Sequence, residues 1–136
     1  MPDQSLRFIV IDDNKLDCFI ADKIIRNKGL FEQVFTFTEA LNALAFIEST
    51  YPDASCFKKT IIILDIQMPI MNGFDFVDAF EKLDENIQQA FAIFMISSTV
   101  NETDRNRVKN YKSINKLYSK PFSKELLSEM LEHIKY

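Results

Sequence analysis

Short apolar runs alternate along this chain with stretches in which apolar residues return every three or four positions. The runs are Phe8-Ile9-Val10-Ile11, Val34-Phe35-Thr36-Phe37, Ile61-Ile62-Ile63-Leu64 and Ala92-Ile93-Phe94-Met95-Ile96, with a weaker one at Lys116-Leu117-Tyr118. Each predicts a strand, and runs that are apolar on consecutive residues suit strands covered on both faces.

The intervening stretches predict helices. Asn14 is placed to cap a first helix reciprocally with Asp17, Leu16, Phe19, Ile20 and Ile24 form its stripe, and Gly29 ends it. Leu41, Leu44 and Ile47 follow Thr38 as a second stripe, and Phe76, Phe80, Leu83 and Ile87 make a third. A fourth helix, opened by Asn101 with Asp104, offers only Val108 and Tyr111 among Arg105, Arg107, Lys109 and Lys112, and is expected to be loosely held. The fifth starts at Ser123 and buries Leu126, Leu127, Met130, Leu131 and Ile134. The polar stretch from Ser49 to Thr60 reads as a loop.

Strict strand–helix alternation needs a helix-length return between parallel neighbours, so the expected fold is α/β: a doubly wound five-stranded parallel sheet with five helices. The 136 residues suffice for one domain, read as 1–136, and no repeat or linker interrupts them.

A net charge of −4 removes the overall basic footprint that captures nucleic acid. No apolar run approaches a membrane span, and Met1 to Arg7 lacks a signal-peptide core. Cys18 and Cys56 have neither zinc-site spacing nor His neighbours, which fits a reducing, cytoplasmic setting. His133, near the end of the last helix, is read as complementing the helix dipole.

In such sheets ligands bind beyond the carboxyl ends of the strands. Asp12 and Asp13 follow the first run, Asp65 the third, Ser97 the fourth and Lys120 the fifth. Taken singly, an Asp or Ser there is a turn former or helix cap. Three acids forced together repel one another, however, and call for a cation: the Lys120 ammonium, a hard divalent metal, or both.

The segment Leu64-Asp65-Ile66-Gln67-Met68-Pro69-Ile70-Met71-Asn72-Gly73 resembles that around the phosphorylated aspartate of response-regulator receiver domains, the CheY-like superfamily of two-component signalling. Asp12-Asp13, Ser97 and Lys120-Pro121-Phe122 resemble the family's acidic pair, switch hydroxyl and Lys-Pro element, in the same order, over nearly the whole chain. The resemblance implies a flavodoxin-like receiver fold of the single-domain type. It implies a phospho-acceptor rather than an enzyme in the usual sense, taking a phosphoryl group onto Asp65 from a sensor histidine kinase or histidine phosphotransfer protein and signalling to a downstream protein.

On that resemblance Mg²⁺ is held by Asp13, Asp65 and the backbone carbonyl of Gln67, with Asp12 acting through metal-bound water. Lys120 and Ser97 hold phosphoryl oxygens. The Lys120–Pro121 bond is usually cis in the family, which would aim the ammonium inward. Gln67 and Thr99 flank the path of the hydrolytic water, and Gly73 permits the backbone geometry of the turn. Receivers commonly carry a switch aromatic where this chain has Leu117. The adjacent Tyr118 should face the other way on a strand unless a bulge shifts the register, so it is not expected simply to substitute for the switch aromatic. Two other readings stay open: an unphosphorylated interaction module of the same fold, and a phosphohydrolase with an aspartyl nucleophile. The latter ordinarily has a second acid where this chain has Gln67.

Overall fold

A computed structural model describes residues 6–29, 33–54 and 59–134, with the side chains of 51–54 left aside. Five strands, β1 (Leu6–Ile11), β2 (Gln33–Phe37), β3 (Lys59–Asp65), β4 (Phe91–Ser97) and β5 (Ile114–Ser119), form one parallel sheet in the order β2-β1-β3-β4-β5. The expected doubly wound sheet is present.

Consecutive apolar residues make sense in this setting because both faces of the sheet are covered. Ile9, Ile11, Ile62, Leu64, Ile93 and Met95 face the layer of α2 (Ala40–Ala54), α3 (Gly73–Phe80), α4 (Glu85–Gln89) and α5 (Glu102–Val108). Their neighbours Phe8, Val10, Ile61, Ile63, Phe94 and Ile96 face α1 (Lys15–Lys28) and α6 (Lys124–Ile134). Fully burying one such side chain contributes about 1.5–3 kcal/mol, which fixes the sheet as the rigid platform for its loops.

Six helices are present among the described residues, where the pattern predicts five. The stripe from Phe76 to Ile87 is broken: α3 ends at Phe80, and Asp84 caps a new helix by accepting the Asn86 N–H at 3.2 Å. Leu83 and Ile87 still pack on the same core. The polar stretch after Ser49 is partly helical, since α2 runs to Ala54; residues 55–58, with Cys56, lie outside the described residues.

The face α1 buries also differs from the expected stripe. Cys18, Ala21 and Ile25 are buried, whereas Leu16, Phe19 and Ile20 are exposed at 64%, 57% and 41%. Apolar residues populate more than one side of this helix, so periodicity alone does not select its rotation. Its N-terminal contacts are consistent with the observed one: Asn14 Oδ1 accepts the Asp17 N–H at 3.0 Å, and Cys18 Sγ lies 3.2 Å from the Asp12 carbonyl oxygen. In α2 likewise Ala40, Ala43 and Ile47 go inward, Leu44 is partly buried and Leu41 is exposed.

The last two helices follow expectation. No residue of α5 is fully buried; it rests on Val108 and the following Tyr111, with the Arg107 guanidinium 4.3 Å from the Phe74 ring and the Tyr111 hydroxyl donating to Asp78 at 2.8 Å. In α6 Leu127 and Met130 are buried and Leu126, Leu131 and Ile134 partly so, after a start capped by Ser123 Oγ. His133 sits in its last turn, edge-on to Phe94.

Candidate functional site

The chain runs from β1 outward to β2 and then back past β1 to β3, so the connections leaving β1 and β3 diverge and open a crevice at their carboxyl ends. Asp12 and Asp13 follow β1 there, and Asp65 is the last residue of β3. Backbone bonds pin these strand ends: Asp12 N–H to the Phe37 carbonyl at 3.0 Å, Ile66 N–H to Ile96 at 3.3 Å, and Lys120 N–H to Ser97 at 2.8 Å.

Carboxylate oxygens of Asp12, Asp13 and Asp65 lie within 4.8 Å of one another. Asp12 and Asp65 are buried, while Asp13 is exposed. Burial pushes the Asp65 carboxyl up to about 6, and the charges of Asp12 and then Asp13 push the same way, against the Lys120 ammonium and a hydrogen bond from the Gln67 backbone. An all-oxygen donor set that ionises only at a cost suits a hard divalent cation that keeps several waters, so the residues present fit Mg²⁺.

Lys120 follows β5 and enters the crevice from that side, and its own peptide bond to Pro121 is cis. Its Nζ lies 2.9 Å from Asp12 Oδ2, 3.0 Å from Asp17 Oδ2 and 3.7 Å from Asp65 Oδ1. Burial opposes its charge, yet the hydrogen bonds to Asp12 and Asp17 and the charges of Asp12 and Asp65 outweigh that, and its pKa is raised.

Ser97 is fully buried at the end of β4, but its hydroxyl is turned into its own loop. It donates to the Thr99 carbonyl at 3.0 Å and accepts the Thr99 N–H at 3.2 Å. Gln67 is exposed, and its backbone bonds the Asp65 carboxylate. The switch positions divide as expected on a strand. After an irregularity that pairs Ile93 with Ile114 and Phe94 with Lys116, Leu117 pairs with Met95 and packs toward the α5 side. Tyr118 pairs with Ile96 and is buried on the opposite face against Phe94.

Gly73 serves the site for a reason other than the one expected. Its backbone is not in the left-handed region; the turn residue that is, at φ 70°, is the exposed Ile70. What Gly73 supplies is room. A Cβ there would lie 2.7 Å from the Asp65 carbonyl oxygen and 2.9 Å from Met95 Cε.

Asp17 is the polar group that the sequence reading misassigned. As a reciprocal cap it would bond the Asn14 N–H, but Asp12 Oδ1 takes that proton at 2.9 Å and Asp17 turns to Lys120. The available signal was its place in the first turn of the helix that leaves Asp12 and Asp13, close to the strand end where the crevice opens.

The family model for the response regulator receiver domain matches residues 8–132. A response regulator receiver protein from Dyadobacter fermentans is 34% identical, with a TM-score of 0.83 over 94% of this chain and 96% of that one. A two-component response regulator from Cytophaga hutchinsonii, 21% identical, shares the fold with a TM-score of 0.85 over 98% of this chain and all of its own. A protein-glutamate methylesterase/protein-glutamine glutaminase from Burkholderia thailandensis is 32% identical over 93 residues, which are 68% of this chain and 22% of that protein. The chain thus matches about a fifth of that relative's length.

Proposed function

The chain belongs to the response regulator receiver family, and on that premise we propose that it takes a phosphoryl group on Asp65 from a phosphohistidine of a sensor kinase or phosphotransfer protein and switches a protein-interaction surface. The observation that carries the reading is the buried Asp65 at the meeting point of two further carboxylates and one ammonium. An Asp65 carboxylate oxygen attacks phosphorus, the P–N bond of the phosphohistidine breaks, and the imidazole nitrogen leaves with the electron pair.

Asp13, Asp65 and the Gln67 carbonyl would hold Mg²⁺, with Asp12 reaching it through water; the ion supplies charge neutralisation of the transferred oxygens. Lys120 stabilises the same oxygens as a point charge. For Ser97 to bond the phosphoryl group its hydroxyl must leave Thr99, and that rotation couples the site to the loop before α5. The weakly anchored α5 is the element best placed to respond, with Leu117 beneath it and Tyr118 on the far face of the sheet. Leu16, Phe19 and Ile20 are exposed on α1, with Ile20 lining the same pocket as Asp12, Asp17 and Lys120, and would give a phosphoryl donor an apolar surface to cover. No helix of the described residues is long and apolar enough to cross a membrane, and the reading places the domain in the cytoplasm with its kinase.

Incubation with phosphoramidate and Mg²⁺ tests the proposal. One added phosphate by intact mass is expected, lost with EDTA and absent in Asp65→Asn; equal labelling of that variant would overturn the assignment, and an unlabelled wild type would favour the interaction-module reading. Turnover of phosphate monoesters would favour the hydrolase instead.

Lifetime is the second expected outcome. Gln67 is exposed two residues beyond Asp65 and its backbone bonds the Asp65 carboxylate, a position from which a carboxamide can orient a water. Gln67→Arg should change the half-life of the phosphorylated protein several-fold while leaving folding stability within about 0.5 kcal/mol, as for most exposed positions. An unchanged half-life in a decay time course would show that Gln67 has no part in hydrolysis.

A further inference from the structure

Lys120 is held more tightly on the α1 side than on the acceptor side. Its Nζ hydrogen-bonds Asp12 at 2.9 Å and Asp17 at 3.0 Å, while Asp65 stands at 3.7 Å. Asp17 is free for this role because its place in the cap is already filled: the Asn14 N–H goes to Asp12 Oδ1. The contrast is α3, where Asp75 at the equivalent helix position gives its carboxylate back to the Asn72 N–H at 3.1 Å.

We infer that Asp17 is a positioning residue that holds the Lys120 ammonium away from Asp65 until a phosphoryl group competes for it. The inference rests on the reading of Lys120 as the cation that meets the phosphoryl oxygens. A phosphoryl group carries about −1.5 to −2 charge, enough to draw the ammonium across the crevice. Asp12 is buried and keeps its contact along the way, whereas the Asp17 side chain is 40% exposed, so water replaces the ammonium there at little cost. The energy of the Asp17 contact is therefore subtracted from what Lys120 contributes to transfer.

Asp17→Asn removes the charge and retains the backbone N–H that Asn14 caps. Labelling by phosphoramidate with Mg²⁺ should run about two- to fivefold faster than wild type, the worth of a partly exposed ion pair. Beryllofluoride should bind tighter by the same factor. In a Lys120→Met background Asp17→Asn should give no gain in beryllofluoride affinity, because Asp17 acts through the ammonium. In the metal-free protein the ¹⁵Nζ resonance of Lys120 should shift in Asp17→Asn and return toward its original position in Asp17→Glu. An unmoved Lys120 resonance, an unchanged rate, or an equal gain in the Lys120→Met background would overturn the inference; the last would reduce Asp17 to general repulsion of anions. Failure of the wild type to label at all would instead bring down the proposed function, and this inference with it.

Discussion

Asp65→Asn is expected to raise the melting temperature of the metal-free protein at pH 7.5 by roughly 5–10 °C. The acceptor carboxyl is buried beside Asp12, with Asp13 adding to the repulsion, and its folded-state value stands at about 6 against an ordinary 3.8. Below 3.8 the proton is bound in both folded and unfolded chains and costs nothing. Between 3.8 and about 6 the folded chain keeps a proton that the unfolded chain releases, so stability falls as pH rises through that window. Above it the whole cost applies, about 2–3 kcal/mol. The difference in melting temperature between Asp65→Asn and wild type should therefore grow from pH 4 to about 6 and then level off. Millimolar Mg²⁺, which binds the folded state, should raise the wild type and move the variant far less. Thermal shift across pH reads all of this; a variant less stable than wild type at pH 7.5 would contradict it.

Gly73→Ala should lower stability by about 1–3 kcal/mol, the usual cost of forcing a methyl into a filled space, and should slow phosphorylation of Asp65. Helix propensity predicts the opposite sign, because Ala normally stabilises a helix relative to Gly by about 0.5–1 kcal/mol. Space decides here, since the new Cβ would stand 2.7 Å from the Asp65 carbonyl oxygen, which is backbone and can yield only by moving the acceptor itself. Chemical denaturation and the initial labelling rate measure the two effects. A variant as stable and as fast as wild type would show that the turn has slack.

What the sequence made legible followed from how strongly each residue type constrains its position. Ile61-Ile62-Ile63-Leu64 admits few arrangements other than a strand covered on both faces, and the chemistry at the ends of such strands followed from topology. The rotation of α1 was not legible, because Leu16, Phe19 and Ile20 offer an apolar face as convincing as Cys18, Ala21 and Ile25; the contacts after β1 match only the second. Nor was the break at Leu83, where the apolar spacing continues across two helices. Asp17 was placed by a local rule for helix starts that Asp12, five residues back, had already satisfied. The Ser97 hydroxyl was located by its strand end, but its bonds to Thr99 depend on the path of the loop, which no pattern encodes.

The central claim is an acyl phosphate on Asp65, and borohydride reduction tests it at the bond itself. After labelling with phosphoramidate and Mg²⁺, reduction converts an aspartyl phosphate to homoserine. Peptide sequencing by mass spectrometry should then find homoserine at position 65, with Asp12 and Asp13 intact. Homoserine at another aspartate, or a phosphate that survives reduction on a Ser or Thr, would contradict the account.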